Sequence, residues 1–352
     1  MMASKANEVL HMLHFRNDYG NGAHPKVMEA LCQTNLELTP GYGQDVYCRR
    51  AEERIRQLCQ APQAEVHFLV GGTQVNKIAL GAFLRPWEAV IAPDSGHIQV
   101  HETGAIEHNG HRIFTLPAQD GKITPEQIQA LCQSLRHEET SPDPRVVYIS
   151  NTTELGTVYS LQELRRLRQV CDQWGLYLYC DGARLASAMA VSGATFADFA
   201  ATCHAFTIGG TKNGLLFGEA LVITEPTLMD NFRRCLKQQG GMLAKGRLLG
   251  VQYCAVLEDG LYLTLAQQAL AMANRLGDGL RRMGIPQLIQ SPSNQLFPIL
   301  PNALVKTLAE QVAFEVWSPV DAQSTCIRFV TAWHTTQEEV DGLLELLENL
   351  LQ

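Results

Sequence analysis

The sequence predicts an α/β fold, in which a mainly parallel central sheet is flanked by helices and is followed by a small α+β domain. Short apolar runs typical of buried strands alternate with capped amphipathic segments typical of helices for more than 200 residues. Beyond residue 240 the composition becomes mostly helical, with a few short strand-like runs. We therefore predict an N-terminal segment at 1–20, a large α/β domain at 21–240 and a small α+β domain at 241–352.

The composition is that of an ordinary globular chain. Hydrophobic residues make up 46% of the 352 residues, and the formal net charge is −8. An acidic chain without a block of consecutive Lys and Arg is a poor match for nucleic acid. No apolar run reaches the roughly 18 residues that a membrane span requires, and the N-terminus lacks the apolar core of a secretory signal. We expect a small-molecule substrate, and neither nucleic acid nor a membrane as partner.

The ten cysteines are scattered along the chain and include no Cys-x-x-Cys pair. This spacing indicates neither a zinc site nor a disulfide framework. Most of the cysteines lie in apolar or helical surroundings, where a reduced, buried thiol is the simplest interpretation. The sequence therefore predicts no metal site and a cytoplasmic location.

Apolar runs that end in polar or glycine-rich turns predict the strands of the large domain. These runs are Glu65 to Val70, Glu88 to Ala92, Val146 to Ser150, Leu176 to Cys180, Ala205 to Ile208 and Glu219 to Thr224, the last expected to run antiparallel. Amphipathic or capped segments predict helices at Cys48 to Cys59, within Lys122 to Arg136 and at Ser160 to Trp174, and a long helix beginning within Gln239 to Arg247.

Three charged residues follow two neighbouring strands, where ligands of open α/β sheets bind. Asp181 and Arg184 follow the first strand, and Lys212 follows the second in a loop rich in glycine. An acid, a guanidinium and an amine suit pyridoxal phosphate, which needs a lysine for its Schiff base and an acidic partner for its ring nitrogen. Taken singly, each residue also fits a simpler role: a solvated lysine, a helix-capping aspartate or a surface arginine.

A glycine-rich turn, Gly71-Gly72-Thr73-Gln74, joins the first predicted strand to a helix. The free N–H groups at a helix start bind phosphate readily, so we assign Gly72, Thr73 and Gln74 as the phosphate cradle. Turns of this kind are common in proteins that bind no phosphate. The segment matches neither a Walker loop nor a dinucleotide-binding turn.

The segment Asp181-Gly182-Ala183-Arg184-Leu185, with Lys212 following Asp181 by 31 positions, resembles the low-specificity L-threonine aldolases. These belong to the aldolase and β-eliminating lyase group of fold-type I pyridoxal-phosphate enzymes. The resemblance runs from about Phe15 to the C-terminus. It implies a homo-oligomer, a dimer or a dimer of dimers, with active sites at the subunit interface.

The resemblance also implies roles for particular residues. Lys212, His97 and Asp181 are the catalytic candidates, with His97 stacked on the cofactor ring and available as a base. The same likeness, together with the phosphate cradle, implies a set of cofactor-binding residues: Gly72, Thr73, Gln74, His97, Asn151, Asp181, Arg184, Thr211 and Lys212. For the substrate it implies Asn17, Tyr42, Arg184 and Arg328. Glu154 departs from the family, where a histidine or another polar residue is common.

The reaction implied by the resemblance is cleavage of L-threonine or L-allo-threonine to glycine and an aldehyde. Elimination of a leaving group from the β-carbon of an amino acid would use the same lysine, acid and carboxylate clamp, so these residues do not distinguish the two reactions. A protein that keeps the fold only to bind a cofactor, metabolite or partner is a third alternative.

Overall fold

The computed structural model describes residues 12–351 and divides them into two compact units. The larger unit is Gly22–Leu263. The smaller one combines residues 12–21 with residues 264–351. The division falls inside the helix Leu261–Arg282. The domain boundaries that the sequence predicts, after residues 20 and 240, stay a prediction.

The larger unit contains a sheet of seven strands within the described residues. In chain order they are β1 (Glu65–Leu69), β2 (Glu88–Pro93), β3 (Ile113–Leu116), β4 (Asp143–Ser150), β5 (Tyr177–Asp181), β6 (Ala205–Gly209) and β7 (Glu219–Ile223). Their order across the sheet is β1-β7-β6-β5-β4-β2-β3. Only β7 is antiparallel to its neighbours. The predicted mainly parallel sheet is confirmed, as is the direction of β7.

The core of the larger unit follows from the burial of both faces of this sheet. Every residue of β2, β6 and β7 is buried. Strands covered on both faces are nearly continuous apolar runs, which is why the sequence marks them clearly. A buried polar side chain in such a sheet is an exception and needs a partner or a function.

Helices surround the sheet. Those described in the larger unit are Pro25–Gln33, Val46–Leu58, Gly72–Phe83, His97–Val100, Ala105–His108, Pro125–Leu135, Leu161–Trp174, Leu185–Ser192, Phe196–Thr202, Phe232–Gln238 and Arg247–Val256, with 3-10 turns at Pro226–Leu228 and Glu258–Gly260. Thr124 and Ser160 each begin a helix with a reciprocal capping box. Those two helix starts agree with the sequence prediction.

The prediction of a long helix beginning within Gln239 to Arg247 is confirmed in its start, at Arg247, and wrong in its length. The helix Phe232–Gln238 ends just before this segment, and the next helix, Arg247–Val256, has only 10 residues. Gly240 adopts a φ of 75°, and the N–H of Gly241 donates to the Leu236 carbonyl at 2.8 Å. A left-handed glycine of this kind closes a helix.

The smaller unit has the α+β character that the sequence predicts. Its strands are Leu13–His14, Gln295–Leu296, Ile299–Pro301, Val312–Ala313, Glu315–Pro319 and Ser324–Val330, and its helices are Asn302–Leu308, Gln337–Leu351 and most of Leu261–Arg282. The strand Ser324–Val330 lies in the middle, antiparallel to three of the others. Phe329 packs edge-on against Phe15 and Phe314, with each pair of ring centroids 6.0 Å apart.

Candidate active site

The carboxyl ends of the parallel strands meet at one edge of the large sheet. Five polar or glycine-rich segments follow these strand ends, and they carry Gly72 after β1, His97 after β2, Asn151 after β4, Asp181 at the end of β5 and Lys212 after β6. Ligands of open α/β sheets bind outside this edge. The fold therefore gathers residues that are far apart in the sequence.

Asp181 is the best-fixed acid of this edge. It is 5% exposed, and its Oδ2 accepts hydrogen bonds from Asn76 Nδ2 and from the Tyr148 hydroxyl, both at 2.8 Å. Its Oδ1 accepts from the Ala183 N–H at 3.0 Å. The following helix begins at Leu185 with Arg184 in the capping position, so Asp181 is not its cap. Three donors hold the carboxylate in one orientation.

A chain of hydrogen bonds joins Asp181 to His97. Asn76 Nδ2 also donates to Glu102 Oε1 at 2.7 Å, while Asn76 Oδ1 accepts from the Tyr179 hydroxyl at 2.7 Å. The same Glu102 oxygen lies 2.8 Å from His97 Nδ1. Asn76 and Glu102 are both buried. The acid and the histidine therefore belong to one polar network inside an apolar sheet.

The charges around His97 favour its protonated form. Burial alone lowers the pKa of His97, but the hydrogen bond to Glu102 and the negative charges of Glu154 and Asp181 outweigh it, so the net pKa lies above its ordinary value. Glu102 also fixes Nδ1 as the nitrogen that carries hydrogen, because a carboxylate only accepts. The other ring nitrogen, Nε2, is left to exchange a proton with a ligand.

Replacing the glutamate should lower the pKa of that histidine. We expect Glu102→Gln to shift the His97 titration to lower pH, since the neutral amide neither attracts the imidazolium nor accepts as strongly. Histidine ring signals followed by NMR against pH measure the shift. Glu107→Gln, on the exposed side of the neighbouring helix, serves as the control and should leave the titration unchanged. A titration unmoved by Glu102→Gln would contradict the assigned hydrogen bond.

The start of the helix Gly72–Phe83 provides an open position for an anion. Gly71, the residue before it, supplies no side-chain cap, and a Cβ on Gly71 or Gly72 would meet no described atom within 4 Å. Gln74 Oε1 accepts from the Val70 N–H at 3.2 Å, while Thr73 is exposed. Uncapped N–H groups beside a hydroxyl fit a phosphate group.

The loop that carries Lys212 is held against the ends of β6 and β7. The Gly210 N–H donates to the Gly218 carbonyl at 3.0 Å, and the Gly218 N–H donates to Thr211 Oγ1 at 3.0 Å. Asn213 Nδ2 donates to the Tyr262 carbonyl at 2.7 Å. Lys212 itself is half-buried in this loop. The backbone on both sides of the lysine is thus fixed.

Small residues allow the ends of β5 and β6 to approach closely. The Gly182 N–H donates to Thr207 Oγ1 at 2.6 Å, and the Gly209 N–H donates to the Gly182 carbonyl at 3.0 Å. A Cβ on Gly182 would collide with the Thr207 carbonyl oxygen. This close approach places the segment that follows Asp181 against the strand that leads to Lys212.

Asn151 lies at the same edge, fully buried, but its amide is used within the fold. Its Oδ1 accepts from the Tyr159 N–H at 3.1 Å, and its Nδ2 donates to the Tyr159 carbonyl at 3.3 Å. The neighbouring Thr152 has a buried hydroxyl that bonds to no group among residues 12–351. The cofactor-binding role of Asn151 stays a prediction.

The remaining predicted substrate residues lie elsewhere in the chain. Tyr42, exposed in the larger unit, has the Lys237 ammonium 4.2 Å from its ring centroid. Asn17 and Arg328 belong to the smaller unit, where Asn17 Oδ1 accepts from the Tyr19 N–H at 3.1 Å. Arg328 Nη1 donates to Gln295 Oε1 at 3.3 Å. Their roles toward a substrate stay predictions.

Comparison with known proteins identifies the family. The family model for beta-eliminating lyases matches residues 14–300. The low specificity L-threonine aldolase of Pseudomonas aeruginosa is 30% identical over 338 residues, covering 95% of this chain and 96% of the relative. A solved structure of Leishmania major threonine aldolase is 43% identical with a TM-score of 0.94, covering 96% of this chain and 99% of that one. A solved structure of an aspartate aminotransferase double mutant from Thermus thermophilus is 14% identical with a TM-score of 0.71, covering 99% of this chain and 96% of that one. At this identity the comparison shows a shared fold.

The described residues fit the cofactor of this family, pyridoxal 5'-phosphate. A buried carboxylate, a half-buried lysine and an uncapped helix start at one sheet edge offer partners for its ring nitrogen, its aldehyde carbon and its phosphate. The chain therefore belongs to the beta-eliminating lyase family, and pyridoxal phosphate is its cofactor.

Proposed function

We propose that the chain cleaves β-hydroxy-α-amino acids, such as L-threonine and L-allo-threonine, to glycine and an aldehyde. The hydrogen-bonded chain from Asp181 through Asn76 and Glu102 to His97 carries this proposal. It links the acid that would face the cofactor's ring nitrogen to a histidine able to exchange the proton of a β-hydroxyl group. The relatives from Pseudomonas and Leishmania, named as threonine aldolases, support it.

In this proposal three parts of the site hold the cofactor. Lys212 binds its aldehyde carbon, Asp181 faces its ring nitrogen, and the helix start at Gly72, Thr73 and Gln74 receives its phosphate. Thr211 stabilises the lysine loop through its bond to Gly218. When bound, pyridoxal phosphate accepts the electron pair of the bond that breaks at the α-carbon.

Each further role falls to a side chain of this protein. Arg184 binds the substrate carboxylate, whose two oxygens a guanidinium matches bidentately. His97 Nε2 takes the proton of the β-hydroxyl group as the bond between the α- and β-carbons breaks, and the aldehyde leaves. Glu102 stabilises the imidazolium that forms. Return of a proton to the α-carbon completes glycine.

Aldehyde release and cofactor absorbance test the proposed function together. Purified protein is supplied with pyridoxal phosphate, its visible absorbance is recorded, and L-threonine and L-allo-threonine are added while aldehyde is measured. We expect absorbance from the lysine-bound cofactor and aldehyde from at least one substrate. Cofactor absorbance with pyruvate or ammonia from amino acids bearing a β-leaving group, and no aldehyde, would favour β-elimination. No turnover over a broad panel would favour a binding protein.

We infer that the chain works as a homo-oligomer. The side chains of Leu36 and Leu38 are 91% and 101% exposed to solvent. Two such leucines beside an apolar pocket form an exposed hydrophobic patch, which is typical of an interaction surface. The adjacent Asn35 lines an apolar pocket together with Leu31, Cys32, Leu216, Phe217 and Leu248. We name the pocket and the two leucines the leucine patch. A second copy of the chain that covers this patch would remove its apolar surface from water.

A charge in the leucine patch should weaken the association. We expect Leu38→Asp to shift the protein from a dimer or tetramer to the monomer, because an interface would bury an unpaired carboxylate. Gel filtration with light scattering over a range of concentrations measures the change. Leu288→Asp places the same charge at an exposed leucine of the smaller unit and should leave the mass unchanged. A wild-type monomer with full activity would overturn the inference.

The cytoplasmic location is also part of this proposal. No helix within residues 12–351 is both long and apolar enough to cross a membrane. All ten cysteines are free, and seven of them are buried. Reduced thiols in this number suit a reducing compartment.

A further inference from the structure

A buried glutamate that the proposed mechanism does not use lies beside the lysine loop. Because β7 is antiparallel, its first residue, Glu219, lies at the edge where the parallel strands end. Glu219 pairs with Gly209, the last residue of β6, and with Leu69, the last residue of β1. Lys212 follows Gly209 by three positions. The strand pairing therefore brings a carboxyl group to the base of the lysine loop.

The Glu219 carboxyl is buried and incompletely satisfied. The residue is 4% exposed, and its Oε2 accepts no hydrogen bond from any described residue. A buried oxygen left without a donor costs free energy, and native proteins rarely keep one without a reason. The unsatisfied oxygen therefore indicates a role toward a neighbouring group.

Among the neutral groups near Glu219, the Thr211 hydroxyl and the Gly210 N–H hydrogen-bond to its carboxyl and oppose the rise of its pKa, whereas the nearby tyrosine hydroxyls bond elsewhere. The charge of Glu219 contributes to raising the pKa of three nearby tyrosines, Tyr179, Tyr253 and Tyr262. The Tyr253 hydroxyl donates to the Ile208 carbonyl at 2.6 Å. The Tyr262 hydroxyl donates to the Gly209 carbonyl at 2.9 Å, and that of Tyr179 donates to Asn76. These three hydroxyl groups therefore donate to acceptors other than Glu219.

Two charged side chains shift the pKa of Glu219 in opposite directions. Burial raises the pKa of Glu219 to about 8, the positive charge of Lys212 opposes this rise, and the negative charge of Asp181 adds to it. Asp181 already accepts three hydrogen bonds. Lys212 is thus the cationic group to which this carboxyl responds.

We propose that Glu219 is a positioning residue for Lys212, exchanging a proton with its side-chain nitrogen and serving as the counter-charge when that nitrogen is protonated. In the forward step the carboxyl O–H bond breaks and an N–H bond forms on the nitrogen lone pair, leaving a carboxylate beside a cation. The reverse step returns the proton to the oxygen. This inference rests on the proposed function, in which Lys212 binds the cofactor.

Spectroscopic titration of the bound cofactor tests the proposal. The absorbance of the lysine-bound cofactor changes with pH as the nitrogen of Lys212 gains or loses its proton. We expect Glu219→Gln to lower the midpoint of this change by about one to three pH units, the size of effect that a nearby opposite charge produces. Glu219→Asp, which keeps the charge, should restore the midpoint in part or in full.

A matched control and a second measurement distinguish the proposed role of Glu219 from a general structural effect of the substitution. Glu88→Gln removes a buried carboxyl at the start of β2, where its Oε2 accepts from the Arg85 N–H, and should leave the midpoint unchanged. Above the pKa of Glu219, where its carboxyl is ionised, cofactor-free Glu219→Gln protein should recombine with pyridoxal phosphate faster than wild type, by up to about tenfold for each unit by which the lysine pKa falls.

The outcomes separate this inference from the proposed function. An unchanged midpoint and an unchanged recombination rate in a folded Glu219→Gln protein would overturn the role of Glu219. If that variant does not fold, an unchanged recombination rate in a folded Glu219→Ala protein has the same meaning. Wild-type protein that binds the cofactor through Lys212 but releases no aldehyde would instead overturn only the aldolase reaction.

Discussion

Lys212→Ala should abolish both the visible absorbance of bound cofactor and the release of aldehyde from L-threonine. The alanine has no amine with which to bind the cofactor, and the surrounding loop offers no replacement at the same position. We expect the turnover of aldehyde to fall at least about a thousandfold, equivalent to about 4 kcal/mol of lost transition-state stabilisation. Absorbance spectra and an aldehyde assay under saturating cofactor measure the two effects.

Controls distinguish loss of the amine from loss of the fold. The loop around Lys212 is held by backbone bonds between Gly210 and Gly218 and by the Thr211 hydroxyl, none of which involves the lysine side chain. Lys212→Ala should therefore unfold close to the wild-type temperature. Lys306→Ala, on an exposed helical lysine of the smaller unit, should keep the spectrum and the activity. Full activity in Lys212→Ala would refute the assigned role.

The main architecture could be predicted because it rests on local patterns. Buried parallel strands are continuous apolar runs, so the sequence indicates β2, β4, β5 and β6. The prediction failed over the length of the helix that begins at Arg247, which ends at Val256, because Asp259 with a φ of 51° interrupts the helical backbone beyond it.

The site could be predicted in part for a related reason. Asp181 ends a strand, His97 and Lys212 lie in the segments that follow two others, and the carboxyl ends of parallel strands meet at one edge. The supporting residues depend on pairings over long separations. Asn76 reaches Asp181 across 105 positions of sequence. Asn76 stands between Val75 and Lys77 in the helix and has no distinguishing signal in the sequence, whereas the weak signal for Glu219 is one acid at the head of an apolar strand.

The hydrogen bonds around Asp181 lead to a second large effect. Asp181→Asn removes the charge that would keep the cofactor's ring nitrogen protonated, while it preserves the size of the side chain. We expect aldehyde turnover to fall by about a hundredfold to a thousandfold, because the loss of one preorganised electrostatic group from an active site typically costs that much. The cofactor should still bind Lys212 and absorb visible light. Turnover numbers and spectra of the cofactor-loaded variant measure both quantities.

The donors around the carboxylate explain why the substitution acts on turnover rather than on folding. Asn76 Nδ2 and the Tyr148 hydroxyl both donate to Oδ2, and an amide oxygen at that position still accepts from them. The amide NH2 then takes the place of Oδ1, so the substitution loses only the hydrogen bond from the Ala183 N–H. Asp172→Asn, at an exposed aspartate paired with Arg168 on a helix surface, provides a control with the same chemical change and should keep full turnover. Normal turnover in Asp181→Asn would mean that the buried acid serves the polar network toward His97 and not the cofactor ring. Loss of turnover with retained absorbance would locate its effect in the bond-breaking step, where a charge opposite the ring nitrogen stabilises the electrons released at the α-carbon.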